Sequence, residues 1–208
     1  MRIVGGAWRG RRLVAPAGQG TRPTADRVRQ ALFDMLMHAA WGGRAVVEGA
    51  VVLDVFAGTG ALGLEALSRG AASACFIESD AAALRALRAN IEACGAVERA
   101  VVVAGDVLRL EDVTAGNRRG STRPRFRMGD ASSAAIGVGV ASLVFLDPPY
   151  GQDFVPRAMT HLREVGHIAA GALIVAETGR DETWIPEEQL LAERQHGAAR
   201  VLIFRLVL

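Results

Sequence analysis

The segment Ala50-Val51-Val52-Leu53-Asp54-Val55-Phe56-Ala57-Gly58-Thr59-Gly60-Ala61-Leu62-Gly63 decides the fold. Its opening residues are apolar apart from Asp54. A near-continuous apolar run fits a strand covered on both faces, as in parallel sheets. Gly58, Gly60 and Gly63 then carry GxGxxG spacing where the strand gives way to a helix over residues 61–69, closed by Gly70. Glycines there permit a tight turn and let a ligand approach the backbone.

Outward from this unit, strands and helices alternate. Ala74-Cys75-Phe76-Ile77 reads as a second strand. Asp80 is placed to cap a helix with Leu84, Leu87, Ile91 and Cys94 on one face, ended by Gly95. Residues 101–103, 142–146 and 172–176 read as three more strands, and a helix fits residues 153–165. Pro186-Glu187-Glu188 has the proline and acids of a helix start. Residues 200–208 read as the last strand. Near the beginning, Arg2-Ile3-Val4 and Arg12-Leu13-Val14 read as the two sides of a small hairpin. Thr24 can cap a helix from Ala25 to His38 whose apolar face holds Val28, Leu32 and Met35. Residues 111–140 fit no element and read as a basic insertion. The alternation predicts an α/β fold with a parallel sheet covered on both faces.

A chain of 208 residues, 50% hydrophobic, can build one compact core, which excludes a disordered chain or a disulfide-stapled miniprotein. Cys75 and Cys94 are isolated, and His38, His161, His167 and His196 lack metal-ligand spacing, so no metal is expected. There is no signal-peptide pattern and no run near the ~18 apolar residues of a membrane span, so a cytoplasmic protein with no membrane partner is expected. The net charge of +2 hides an asymmetry. All 24 basic residues are Arg; seven lie in residues 1–30 against Asp26 alone, and six in residues 109–130 against three acids. A basic head and middle on an acidic body point to a polyanion partner. Trp8, Arg9, Arg11, Arg12, Arg22 and Arg27 are therefore candidate nucleic-acid contacts.

Glu78 lies 20 residues past Gly58, at the end of the second strand, where a carboxylate accepts hydrogen bonds from ribose hydroxyls. Glycines and acid together admit a nicotinamide-dependent oxidoreductase. Asp54 argues otherwise, because a carboxylate at the end of the first strand faces a pyrophosphate unfavourably and suits a cation. S-adenosylmethionine (AdoMet) carries an ammonium and a sulfonium and no phosphate. Asp106, after the third strand, adds an acid placed to accept from an adenine amino group.

The fourth strand ends in Asp147-Pro148-Pro149-Tyr150. Consecutive prolines fix two φ angles and remove two donors, giving a stiff corner that presents an acid, a directed carbonyl and an aromatic ring. The exocyclic amine of a nucleobase is a poor nucleophile, because its lone pair is delocalised into the ring. Hydrogen bonds to the Asp147 carboxylate and the Pro148 carbonyl favour a pyramidal nitrogen, while Tyr150 stacks on the base. Asp147, Pro148 and Tyr150 are the candidate catalytic residues, and an aspartate suits the adjacent N1–H and N2–H donors of guanine.

These segments, with Arg2 to Gly10, Thr21 to Arg29 and Glu78-Ser79-Asp80, resemble the RsmD family of bacterial 16S ribosomal RNA (guanine-N2) methyltransferases over nearly the whole chain. The resemblance implies a Rossmann-like class I AdoMet-dependent methyltransferase fold. Its sheet would be mostly parallel and seven-stranded with an antiparallel last strand, preceded by a small N-terminal hairpin or arm. Residues 1–40 would form the basic arm and its helix, and residues 41–208 the methyltransferase domain. The implied donor is AdoMet, and the implied partner is 16S rRNA within the small subunit, met by a monomer. By the same resemblance, Asp54, Phe56, Gly58 and Gly60 line the methionine part of the cofactor, Glu78 holds the ribose, and Ser79, Asp80 and Asp106 lie near adenine. The length of 111–140 and His196-Gly197-Ala198 depart from the family pattern. Methylation of DNA adenine or a protein glutamine stays open as an alternative, as do an oxidoreductase and a non-catalytic RNA-binding module.

Overall fold

The computed structural model describes residues 1–16, 23–109 and 140–207, so all but the last residue of the expected insertion at 111–140, and Arg22, lie outside the described residues. In chain order the elements are α1 (Pro23–His38), β1 (Val51–Val55), α2 (Ala61–Ser68), β2 (Ser73–Glu78), α3 (Ala81–Cys94), β3 (Ala100–Ala104), β4 (Ala141–Leu146), α4 (Phe154–Glu164), β5 (Ile168–Gly179), β6 (Gln189–His196) and β7 (Ala199–Arg205). The strands form one sheet in the order β3-β2-β1-β4-β5-β7-β6. Strands β1 to β5 pair in parallel, whereas β7 runs antiparallel to both of its neighbours. This is a Rossmann-like class I methyltransferase sheet.

Residues alternate across the sheet, so each strand feeds two cores. Val52, Phe76 and Phe145 join Phe33 and Leu36 of α1, Leu64 of α2 and Leu87 of α3 on one face. Leu53, Val144, Leu202 and Phe204 join Val155, Met159 and Leu162 of α4 on the other. Helix α1 begins at Pro23, so Thr24 lies inside its first turn and does not precede it.

The helix expected at Pro186 is not formed; residues 180–188 are an irregular connection and β6 follows. Tertiary pairing overrides the local signal. Strand β6 completes the edge of β7, with Leu190 opposite Phe204. The buried guanidinium of Arg200 donates to the carbonyls of Glu182 and Trp184, both at 3.1 Å, supplying donors that a helix would otherwise provide. Trp184 packs edge-on against Phe204 at 5.9 Å.

The N-terminal hairpin is formed by one antiparallel bridge, Arg2 to Arg12, flanked by Ile3 N–H to Arg11 O and Leu13 N–H to Met1 O. A 3-10 turn at Gly6–Trp8 lies between its sides. Ile3 and Leu13 are buried in the same core as α1 and α2. Polar anchors fix the rest. Glu65 of α2, fully buried, accepts from Val4 N–H and Gly5 N–H at 2.8 Å each and from Arg69 Nε at 2.8 Å, with Arg29 Nε at 3.5 Å. Ser68 Oγ accepts from Trp8 N–H and donates to Gly5 O. Asn90 of α3 accepts from Val14 N–H and donates to Val14 O and Thr59 O, joining the arm to the glycine turn.

Candidate active site

Strand order reverses between β1 and β4, and open α/β sheets bind ligands in the crevice at the carboxyl ends of strands at such a switch point. The glycine turn leaves β1 there, and the Asp-Pro-Pro-Tyr corner leaves β4 beside it. The two are joined by Asp147 N–H to Val55 O at 3.4 Å.

The three glycines of the turn have different roles. Gly58, Gly60 and Gly63 share the motif, but a side chain at Gly60 would meet Leu87 at 2.4 Å, and one at Gly63 would meet Phe76 at 2.4 Å. These two close the helix onto the sheet. A Cβ on Gly58 would meet nothing nearer than Phe56 O at 4.0 Å, so its backbone faces open space. Glu78 is clamped there by three backbone donors at 2.7 Å each: Gly58 N–H, Ser79 N–H and Asp80 N–H. Its carboxylate is thus held at the rim of the turn with a preset orientation. Asp80 caps α3 by accepting from Ala83 N–H at 2.7 Å. Asp106, past β3, accepts from Leu108 N–H at 3.0 Å and pairs with Arg109 at 3.5 Å. The acids expected at three successive strand ends lie on one sheet edge.

Asp54 is buried and accepts from Gly63 N–H at 2.8 Å. Burial pushes its carboxyl up to about 8; the Gly63 N–H opposes this, and the charges of Asp147 and Glu78 add to it. A carboxyl raised from 3.8 to about 8 favours the fold while protonated. That contribution is complete below the unfolded value and is lost as pH rises through the folded one. Thermal melts of ligand-free protein should therefore show stability falling over this window, and Asp54→Asn should flatten the decline. An unchanged slope in the variant would assign the pH dependence to other groups.

Phe56 adopts φ +61°, an uncommon conformation for an aromatic residue, and rests its ring 5.5 Å from that of Phe154. Across the crevice, Tyr150 is 43% exposed, leaving ring surface for a partner, and its hydroxyl donates to Glu177. Surrounding protein, with the charge of Glu177 adding, holds Asp147 above the ordinary carboxylate range, although its side chain keeps an open edge to solvent.

The basic residues divide. Arg9, Arg11, Arg12 and Arg27 are exposed. Arg2, Arg9 and Arg27, with Asp26 and Gln30, line a cavity of about 390 Å³ between the arm and α1. Arg11, also exposed, donates through one guanidinium nitrogen to Ala93 O of α3. The Trp8 ring is half-buried under the Arg99 guanidinium at 5.1 Å. Sequence reasoning alone does not find Glu65, Ser68, Asn90 and Glu177. The available signal for Glu65 is a lone acid within the otherwise apolar Ala61-Leu62-Gly63-Leu64-Glu65-Ala66-Leu67. No helix among the described residues is long and apolar enough to cross a membrane.

The family model described as conserved hypothetical protein 95 matches residues 1–128 and 122–205. Ribosomal RNA small subunit methyltransferase D of Escherichia coli K12 is 37% identical over 179 residues, spanning 86% of this chain and 74% of that protein. The solved structure of yhhF from Escherichia coli superposes with TM-score 0.72 at 31% identity, covering 100% of this chain and 98% of that one. The fold also matches that of an RNA methyltransferase from Salinibacter ruber in complex with S-adenosyl-L-homocysteine, with TM-score 0.53 and 17% identity over 90% of this chain and 94% of that one. By family model, identity and fold, the chain belongs to the conserved hypothetical protein 95 family, the RsmD family of methyltransferases.

Proposed function

We propose that this protein transfers the methyl group of AdoMet to the exocyclic N2 of a guanine in 16S rRNA of the small subunit. One observation carries the reading: the Asp-Pro-Pro-Tyr corner stands on the strand next to the glycine turn, so an acceptor amine and a methyl donor would share one crevice. The residues fit that donor. Gly58 leaves open space over its backbone, Glu78 offers a fixed carboxylate for ribose hydroxyls, and Asp54 is an acid that a cation would draw into its ionised form. AdoMet supplies an activated methyl group on a sulfonium, so most of the remaining work is positioning. Asp147 accepts from the guanine N1–H and N2–H edge, and the Pro148 carbonyl accepts a hydrogen bond from the second N2–H. Tyr150 stacks on the base and holds it in plane. Asp147 is also the base placed to receive the proton that N2 gives up as its new N–C bond forms.

The deciding experiment is labelled-methyl transfer from AdoMet to small subunits isolated from a strain lacking the family enzyme, followed by mapping of the modified base. Label at a guanine N2 supports the proposal. With DNA and protein offered in parallel and cofactor binding measured by calorimetry, label in DNA adenine or protein glutamine, or binding of NAD in place of AdoMet, overturns it.

The exposed arginines should pair with phosphates. Reversing Arg9, Arg12 and Arg27 to Glu is expected to weaken RNA binding at low salt. For every phosphate left without its arginine, the slope of log affinity against log salt should flatten by roughly 0.7–0.9. An unchanged slope in a folded variant would remove this face from the RNA surface.

A further inference from the structure

Strands β4 and β5 are parallel neighbours with Leu146 opposite Ala176. The next step along both strands brings Asp147 beside Glu177. Glu177 accepts the hydroxyl hydrogen of Tyr150 across the corner. A second acid closes the same corner: Glu182 accepts from Gly151 N–H at 2.9 Å and from Gly179 N–H at 3.0 Å. This joins the residue after Tyr150 to the end of β5. Gly179 lies directly under the ring stem, since a side chain there would meet Tyr150 Cβ at 3.4 Å. Tyr150 is thus held at its hydroxyl, its backbone neighbour and its stem, while part of its ring stays open.

We infer that Glu177 is a positioning residue for methyl transfer, which sets the plane of the Tyr150 ring through the tyrosine hydroxyl so that the target base stacks in line with the methyl donor. The inference rests on the proposed guanine methylation and adds to it that the hydroxyl matters, not only the ring. A stacking platform free to swing about its side-chain bonds would hold a base near the donor without aligning it, and alignment is what an in-line transfer requires. The groups facing the phenol are Glu177, Asp147 and Glu182. Partial burial raises its ionisation above the ordinary tyrosine value, and the hydrogen bond to Glu177 and these three negative charges raise it further.

Tyr150 is the only tyrosine of the chain, so its state can be read without any substrate. With tyrosine labelled at Cζ, a single ¹³C signal reports its ionisation. In the native protein that signal should titrate later than free tyrosine. Glu177→Ala should bring the titration back toward the free value, and Glu177→Gln, which keeps an acceptor but no charge, should bring it part of the way. In the methyl-transfer assay, Glu177→Ala and Tyr150→Phe should each lower kcat about tenfold, the scale of one hydrogen bond to a charged group. AdoMet affinity should be unchanged, and Glu177→Gln should restore most of the rate. The double variant should be no slower than either single one.

A titration that ignores Glu177→Ala overturns the contact. A shifted titration with normal turnover in both single variants overturns the role, as does a double variant whose losses multiply. A native protein that titrates as expected but puts no methyl on guanine overturns the underlying reading, leaving the anchored tyrosine as a fact about the fold.

Discussion

Asp147→Ala is expected to reduce methyl transfer by at least roughly two to three orders of magnitude in kcat, the scale of removing one preorganised polar group from a reacting centre. AdoMet affinity should stay within a few fold, because the groups assigned to the donor lie around Gly58, Glu78 and Asp54 on other strands. Single-turnover kinetics with calorimetry separates the two effects, and near-normal turnover would remove Asp147 from the mechanism. The same residue sets a pH dependence. Only the ionised carboxylate accepts from both donors of guanine, and its surroundings raise its proton affinity. Turnover should therefore fall as acidification protonates Asp147. Asp147→Asn should flatten that limb as well as lower the rate.

The second large effect is on stability. Glu65→Ala would leave Arg29 and Arg69 buried beside an empty site and strip Val4 N–H and Gly5 N–H of their acceptor. Breaking a buried ion pair by removing one partner costs about 3–5 kcal/mol. This is a large share of the roughly 5–15 kcal/mol that holds a domain folded. Denaturant melts should show a lower midpoint, and trypsin should cut the arm between Arg2 and Arg12 before the body unfolds. A midpoint within experimental scatter of the native one would mean that Glu65 is replaceable by water.

The central α/β pattern is legible because it is written in runs of aliphatic residues. Val51 to Val55, Ser142 to Leu146 and Ala172 to Ala176 have little alternative but a buried strand. The Pro186 region misleads because its helix-start residues are a local signal, whereas pairing of β6 with β7 and capping by Arg200 come from residues distant in sequence. The site divides in the same way. Glycine spacing and the Asp-Pro-Pro-Tyr tetrapeptide are contiguous and can be read directly. Glu177 touches Tyr150 from 27 residues away, and Glu65 reaches the arm from 60 and 61 residues away. Nothing in either local pattern announces the partner. Composition alone does not separate Arg9, which faces a cavity, from Arg11, which also ties to a carbonyl of α3.

Strand β7 comes last in sequence among the described strands of the sheet, yet it sits inside it, between β5 and β6. Neither of those strands pairs with the other, so β6 cannot join the sheet until residues 199–205 are available. Glu177 lies on β5 opposite Val201, so its strand, although paired with β4, keeps an open edge until β7 arrives. During synthesis, the glycine turn, β1 and the arm can assemble from earlier chain, while β5 behind Tyr150 is braced on its outer edge only when β7 pairs with it. A nascent or prematurely terminated chain would therefore have its glycine turn formed before the strand behind Tyr150 is paired on both edges. Activity should appear in one step once residues 199–205 are made, with no active products that stop short of them.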